Sequence, residues 1–318
     1  VQTCALPISL IVMTPDGMIA CRDPLGIRPL VMGKLGDTII FASETVALDV
    51  VGAEFVRTVD PGELVIVQGT NVRSIRPFKE QSARPCIFEW VYFSRPDSIV
   101  DDHSVYSVRK GIGAQLAIEA PVEADLVIPV PDSGVPAAIG YAQQSGIPFE
   151  LGIIRSHYVG RTFIQPGDKV RHLGVKLKHN ANRALIEGKR VILVDDSIVR
   201  GTTSMKIVEM VRQAGAREVH MRIAAPPTTD PCFYGIDTPD KDKLLASHYD
   251  VAGMAKFIKV DSLAFISIDG LYRAMGLPGR DAKAPGFCDA CFTGDYPISL
   301  DDQMGVEDRQ LSLLAEPA

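Results

Sequence analysis

Two textures of apolar and polar residues divide this sequence. Between Ser9 and about Phe78 the apolar runs are short and are broken by Pro15-Asp16-Gly17, Pro24-Leu25-Gly26 and Pro61-Gly62. Leu10–Thr14, Met18–Arg22, Pro29–Gly33, Thr38–Ala42 and Glu63–Val67 are rich in β-branched residues between turn formers, so they predict strands of an antiparallel sheet. Taken alone, such a sheet would leave strand edges bare, which predicts poor solubility. From about Cys86 onward, strand and helix signals alternate. Asp125–Val130 predicts a strand and Pro131-Asp132-Ser133-Gly134 a loop. Pro136 suits the first turn of a helix ending near Gly146, and Phe149–Ile154 predicts the next strand. Val191–Val194 is an unbroken apolar run, as expected of a buried parallel strand. Past Ser204, Ile207, Val208 and Val211 recur at helical spacing, and Gly215 suits the helix end. This β-α-β order predicts an α/β class, a parallel sheet with helices on its faces. There is no internal repeat and no long low-complexity segment, and the 299–318 tail predicts no element.

The run Val191-Ile192-Leu193-Val194-Asp195-Asp196-Ser197-Ile198-Val199-Arg200-Gly201-Thr202-Thr203-Ser204 carries the strongest chemical signal. A strand ends in two carboxylates, and a Gly/Thr/Ser loop opens a helix. Such a turn presents backbone N–H groups and the positive end of a helix, which together hold phosphate. A nucleotide-triphosphate loop would need a Lys after the Gly, and here there is none. Adjacent acids suit ribose hydroxyls and a divalent metal, so a sugar phosphate is the expected ligand.

Bulk properties narrow the class. The chain has 318 residues, enough for one large or two medium domains, with 46% hydrophobic and 23% charged residues, the proportions of an ordinary globular protein. A formal net charge of −6 argues against a general nucleic-acid binder. No apolar run is long enough to span a bilayer and no secretory leader is evident, so a cytoplasmic location is expected. Val1–Ile8 can be back-translated into a string resembling a sequencing adaptor, and these residues are expected to be foreign to the protein.

Against the acidic background, Arg155–Arg183 holds seven Lys/Arg (155, 161, 169, 171, 176, 178 and 183) and one acid, Asp168. Beside a phosphate loop, this basic segment is expected to act as a lid over a polyanion, excluding water. A solvated basic loop or an RNA contact is the alternative. Cys288-Asp289-Ala290-Cys291 is a Cys-x-x-Cys pair, a spacing that lets two thiolates share one metal centre and is compatible with half a zinc site or a redox dithiol. Spacing alone does not bring Cys86 or Cys232 to it.

The Val191–Ser204 run resembles the phosphoribosyl-pyrophosphate (PRPP) signature of type I phosphoribosyltransferases. Longer segments resemble the amidophosphoribosyltransferase family: Arg22–Leu30, Phe88-Glu89-Trp90-Val91-Tyr92-Phe93-Ser94-Arg95-Pro96-Asp97-Ser98, Tyr158–Pro166 and Cys232-Phe233-Tyr234-Gly235-Ile236-Asp237. The similarity runs from about residue 10 to about residue 298. It implies a remnant of an α+β N-terminal-nucleophile glutaminase domain at 9–80. A type I phosphoribosyltransferase domain at 81–298 would follow, with a flexible lid and a C-terminal cluster-binding segment.

The resemblance also implies residue roles. Asp195, Asp196, Ser197, Arg200, Gly201, Thr202, Thr203 and Ser204 would bind PRPP. Ser133, Asp195 and Asp196 would surround one Mg2+ per subunit, with the Pro131–Gly134 loop facing pyrophosphate. Tyr158, Arg161 and Lys178 would act from the lid, although Arg155-Ser156-His157 departs from the usual opening of that loop. Cys86, Cys232, Cys288 and Cys291 would hold a [4Fe–4S] cluster with a structural or oxygen-sensing role.

The implied reaction is attack of ammonia on C1 of PRPP with loss of pyrophosphate, the first committed step of de novo purine synthesis. Ammonia would come from glutamine in the full family protein, but no residue here matches the glutaminase nucleophile: Cys4 is in the wrong context and Cys21 lies in a strand. Glutamine-dependent turnover is therefore not expected of this chain. Purine nucleotide inhibition and a homo-oligomer are further implications. Two other readings share the PRPP loop, a base phosphoribosyltransferase and a PRPP-sensing regulator.

Overall fold

The computed structural model describes residues 9–156 and 179–298. Its centre is a four-stranded parallel sheet in the order Leu126–Pro129, Arg190–Asp195, Glu218–Ile223, Ser262–Phe265. Val191, Ile192, Leu193 and Val194 are all 0% exposed. The reason is strand alternation between two covered faces. Ile192 and Val194 join the core under helices Val105–Glu119 and Val135–Ser145. Val191 and Leu193 join the core under helices Thr202–Gln213 and Val251–Ile258. An apolar run without polar interruption is what two buried faces require.

The helix after the acidic pair buries Ser204, Ile207, Val208 and Val211 on one side, the spacing seen in the sequence. It runs to Gln213, and Gly215 follows at φ +95° with its N–H on the Arg212 carbonyl. The Val135–Ser145 helix has proline in its first turn and ends on left-handed Gly146, as expected.

One expected strand differs. Phe149–Ile154 does not run beside Leu126–Pro129 as a full member of the sheet. It touches that strand through a single Val127–Phe149 bridge. The extended part, Ile153–Arg155, turns away to pair antiparallel with His179–Ala181. Arg183 is not lid material either: it begins a short helix, Arg183–Ile186, and its guanidinium donates to the Gln213 carbonyl at 3.1 Å. Val1–Ile8, Tyr158, Arg161, Lys178 and the 299–318 tail lie outside the described residues.

The N-terminal part forms two antiparallel sheets. One has the order Leu10–Thr14, Gly17–Cys21, Leu64–Gln68, Asn71–Ile75, and the other Thr38–Ala42, Val31–Leu35, Glu54–Thr58. Leu10, Ile11, Val12 and Met13 are exposed on the edge strand, the bare edge anticipated from sequence. Glu54–Thr58, Asn71–Ile75 and the Thr45–Val51 helix were not anticipated. Asn71–Ile75 is exposed throughout, so it carries no alternation to read, and the helix is rich in Val, which favours strands.

These sheets are tied firmly to the α/β part. Leu25 and Ile27 pack in the same core as Ile87, Trp90 and Val105. The buried Arg22 guanidinium makes a bidentate pair with Asp101 at 2.9 and 3.0 Å.

Candidate active site

The carboxyl ends of the parallel strands open into a cleft of about 580 Å3, where open α/β sheets place their ligands. The Arg190–Asp195 strand delivers Asp195 and Asp196 to its floor. Both are buried, at 7% and 8% exposure. Asp195 accepts the Asp196 N–H at 2.9 Å, and Asp196 accepts the Ser197 hydroxyl at 2.6 Å. Neither carboxylate forms an ion pair among the described residues. Burial, followed by the neighbouring Asp196 charge, pushes the Asp195 carboxyl well above the usual carboxylate range. Arg109, itself buried, acts on Asp196 from nearby without pairing with it among the described residues, and two adjacent buried acids still make a site that gains from a cation.

Beyond them, Gly201 enters the helix at φ +73°, and a Cβ there would meet the Leu245 side chain at 2.7 Å. Only glycine suits this left-handed approach. No side chain caps this helix start, so the first-turn N–H groups beside Thr202, Thr203 and Ser204 are available to an anion. On the adjacent strand, Val130 leads into the Pro131–Gly134 loop. The Gly134 N–H bonds the Val130 carbonyl at 3.0 Å, and a Cβ on Gly134 would lie 2.3 Å from the Val194 carbonyl oxygen. This close seating puts Ser133 in the same cleft. The Pro131–Asp132 peptide is cis, and Asp132 pairs with Arg155.

Asp195, Asp196, Ser197, Arg200, Gly201, Thr202, Thr203 and Ser204, the residues expected at PRPP, line one cleft together with Ser133, expected at Mg2+. Sequence reasoning missed the remaining walls. Phe88, Tyr92 and Phe93, on and next to the π-helix Glu89–Phe93, form one, and Ile236, Asp237, Thr238 and Pro239 form another. Thr228 and His179 also reach the cleft. The clustered aromatic residues of Phe88–Phe93 were the available signal.

Comparison with known proteins bears on the fold and the family. The phosphoribosyl transferase domain model matches residues 97–229. The amidophosphoribosyltransferase of Rhizobium etli is 60% identical over 96% of this chain and 63% of its own length. That of Bacillus subtilis is 50% identical over 92% of the chain and 61% of its own length. Among solved structures, the B. subtilis glutamine PRPP amidotransferase complexed with ADP and GMP superposes with a TM-score of 0.85, covering 92% of this chain and 64% of that one. The chain belongs to the amidophosphoribosyltransferase family. It spans less than two thirds of the length of these relatives, and its parallel sheet has the type I phosphoribosyltransferase fold.

The four cysteines expected to act together lie on neighbouring segments. Cys86 and Cys288 lie on backbone segments joined by a parallel bridge, with the Ile87 N–H on the Cys288 carbonyl at 3.1 Å and the Cys288 N–H on Pro85 at 2.9 Å. The Cys232 sulfur accepts the Tyr234 N–H at 3.3 Å. The Thr229 and Asp230 N–H groups bond the Cys291 carbonyl. All four thiols are free. Burial, then Cys86, Cys288 and Cys232 as neighbours, pushes the Cys291 thiol well up. Burial, with Cys232 also contributing, pushes Cys288 to about 12. The four sulfurs therefore share one neighbourhood, and Cys291 also lines the cleft. Among the described residues, no three His, Cys, Asp or Glu side chains converge tightly enough to hold a single metal ion. Cys21, at the end of its strand, is a half-buried thiol raised first by burial and then by Asp23, the opposite of an activated nucleophile. No helix among the described residues is long and apolar enough to cross a membrane.

Proposed function

We propose that the cleft binds PRPP and transfers its phosphoribosyl group to ammonia, giving 5-phosphoribosylamine and pyrophosphate, the first committed step of purine synthesis. The observation that carries this reading is the convergence of Ser133, Asp195–Asp196 and the Arg200–Ser204 helix entrance on one cleft. Three parts of one small molecule need these three chemistries: a leaving pyrophosphate, vicinal hydroxyls and a terminal phosphate. Ammonia attacks C1, the bond from C1 to the pyrophosphate oxygen breaks, and the electron pair leaves with pyrophosphate while the new ammonium loses a proton. Arg200 and the first-turn N–H groups anchor the 5-phosphate, Asp195 and Asp196 orient the ribose hydroxyls, and the Phe88–Phe93 wall limits water at the reacting carbon. Tyr158, Arg161 and Lys178 complete the proposal as lid residues.

The donor set fits Mg2+: two buried carboxylates in no ion pair among the described residues, and the Ser133 hydroxyl, are hard oxygen ligands. When bound, one Mg2+ supplies charge neutralisation for the pyrophosphate. Four free thiols close enough to influence one another's ionisation fit the all-thiolate ligand set of a [4Fe–4S] cluster, a set that zinc also accepts. When bound, the cluster supplies structural stability and a site of oxygen sensitivity. Cys86, Cys232, Cys288 and Cys291 would hold it. Purine nucleotides as inhibitors, a homo-oligomer, ammonia from glutamine in the full-length protein and a cytoplasmic location extend the same proposal. So does the division into a glutaminase portion at 9–80 and a transferase portion at 81–298.

The test measures pyrophosphate release from PRPP and Mg2+ with ammonia, glutamine, or a panel of purine and pyrimidine bases. Release with ammonia alone is expected. Release only with a base would mark a base phosphoribosyltransferase, and binding without release a regulator.

The raised Asp195 carboxyl also predicts a pH effect. A carboxyl with a raised folded pKa takes up its proton earlier, as pH falls, than an ordinary Asp. Cation and PRPP binding need the ionised form, so they should weaken on mild acidification and release protons on binding. Calorimetry in two buffers of different ionisation enthalpy checks this. Equal heats below neutrality would contradict it.

A further inference from the structure

The proposed chemistry leaves unused an arginine beneath the aromatic wall. Arg28 lies in the N-terminal part, at the end of the Arg22–Arg28 loop. That loop is held rigidly by its own residues. The Asp23 carboxylate accepts the N–H groups of Leu25 and Ile27, each at 3.0 Å. The Arg22 guanidinium donates to the carbonyls of Gly26 and Arg28, also at 3.0 Å. Arg28 is thereby presented to the α/β part, where it makes three contacts. Its Nη1 meets Glu89 Oε1 at 2.7 Å, with the two side chains only 19% and 9% exposed. Its Nη2 donates to the Gly235 carbonyl at 3.3 Å. Its guanidinium carbon lies 5.1 Å from the centre of the Phe93 ring, within cation–π range.

These partners belong to two different walls of the cleft. Glu89 begins the π-helix that carries Tyr92 and Phe93, and its other oxygen accepts the Ser94 hydroxyl at 2.7 Å, pinning the far end of that helix. Gly235, at φ +94°, directly precedes the Ile236–Pro239 wall. One planar, forked cation therefore spans both walls from outside the cleft. Arg28 is absent from the cleft lining, so it acts through other residues.

We propose that Arg28 is a positioning residue for phosphoribosyl transfer: by clamping Glu89 and Gly235 it sets the separation of the two walls that flank the reacting carbon. The inference rests on the transfer reading above. Among the described residues, Arg28 forms no hydrogen bond or ion pair with Ser133 or Arg200–Ser204, so substrate affinity depends little on Arg28 whereas the transfer rate depends on it. Lysine would keep the charge opposite Glu89 but not the fork to Gly235 or the flat contact with Phe93.

The experiment compares the full chain with Arg28→Ala, Arg28→Lys and Glu89→Gln, supplied with Mg2+, PRPP and ammonia. Arg28→Ala is expected to lower kcat by about 10–10²-fold through misplacement of the walls, with KM for PRPP changed by less than about threefold. Arg28→Lys should recover part of the rate and Glu89→Gln should fall on the same side as Arg28→Ala. Trp90, the sole tryptophan, is buried in the clamped π-helix with the Phe287 ring at 5.5 Å. Its emission should shift in Arg28→Ala without any substrate. An unchanged kcat per folded molecule in Arg28→Ala, beside an active parent, overturns the proposal, even if thermal stability falls. If the parent itself releases no pyrophosphate, the transfer reading fails instead. Trp90 emission then decides the clamp alone: a shift supports it and an unshifted spectrum removes it.

Discussion

Asp195→Asn is expected to lower kcat/KM for pyrophosphate release by about 10²–10³-fold, the usual cost of removing one group that stabilises charge in a reaction centre. The same substitution should leave the metal-free protein as stable as the parent at neutral pH, or more so. Asp195 is almost fully buried and has no ion-pair partner among the described residues. Its folded-state pKa is raised by burial and then by Asp196. A group raised in this way contributes stability below its unfolded pKa and loses it as pH rises through the folded value, so near neutrality keeping this carboxyl buried beside Asp196 costs stability. Asparagine keeps an oxygen for the Asp196 N–H and removes that cost. Activity and stability should therefore move in opposite directions, the mark of a residue retained for function. Thermal denaturation with and without Mg2+ provides the second readout: Mg2+ should stabilise the parent and not the variant. A loss of both activity and stability would make Asp195 structural and remove the cation site from the proposal.

The second large effect concerns the cysteine centre. Cys86→Ser should abolish stoichiometric iron and acid-labile sulfide in anaerobically purified protein and take away its brown colour. Cys86 is 6% exposed and sits in the main core with Ile87, Trp90 and Phe287. Its segment is hydrogen-bonded directly to that of Cys288. Loss of a group bound only by the folded state should cost on the order of 3 kcal/mol or more, read as a lower unfolding midpoint in denaturant. Cys21→Ser, remote from the centre, serves as the control and should change neither iron content nor colour. Full iron content in Cys86→Ser would show that these four thiols do not hold a cluster. Stoichiometric zinc in the parent would replace the cluster with a mononuclear site.

The surroundings of Cys288 and Cys291 suggest why that site can be rigid. Asp289, between them, is 0% exposed and accepts hydrogen bonds from Tyr272 at 2.8 Å, Arg280 at 2.6 Å and Thr293 at 2.9 Å. Arg280 also pairs with Asp295 at 2.6 Å, and Asp295 in turn meets Arg84 at 3.4 Å, two residues before Cys86. A chain of alternating charges thus joins two of the three segments that carry the thiols, and a satisfied buried network of this kind limits their movement.

The parallel strand, its two acids and the helix after them were legible from Val191–Ser204 because each is a local property. Four apolar residues in a row require two covered faces, and the helical spacing of Ile207, Val208 and Val211 requires one. The glycine at 201 follows from the turn between strand and helix. Phe149–Ile154 was misread because an apolar stretch predicts extension without naming its partner, and here the partner is His179–Ala181. Asn71–Ile75 and Glu54–Thr58 escaped notice because exposed strands need no apolar face, and Thr45–Val51 because its valines favour a strand in isolation.

What the sequence determined by itself was the character of single segments: an acidic strand end, a glycine-led helix entrance suited to an anion, a Cys-x-x-Cys turn and a family resemblance extending over most of the chain. Tertiary structure decided which of them meet. Cys86, Cys232 and the Cys288–Cys291 turn become neighbours only through packing, since no periodicity links residues so far apart. The aromatic wall and the Ile236–Pro239 wall meet the acids in one cleft only in the folded chain, and Arg28, far from all of them in sequence, contacts both Glu89 and Gly235. Contacts between distant segments depend on how every intervening element packs, and that information is distributed over the whole fold.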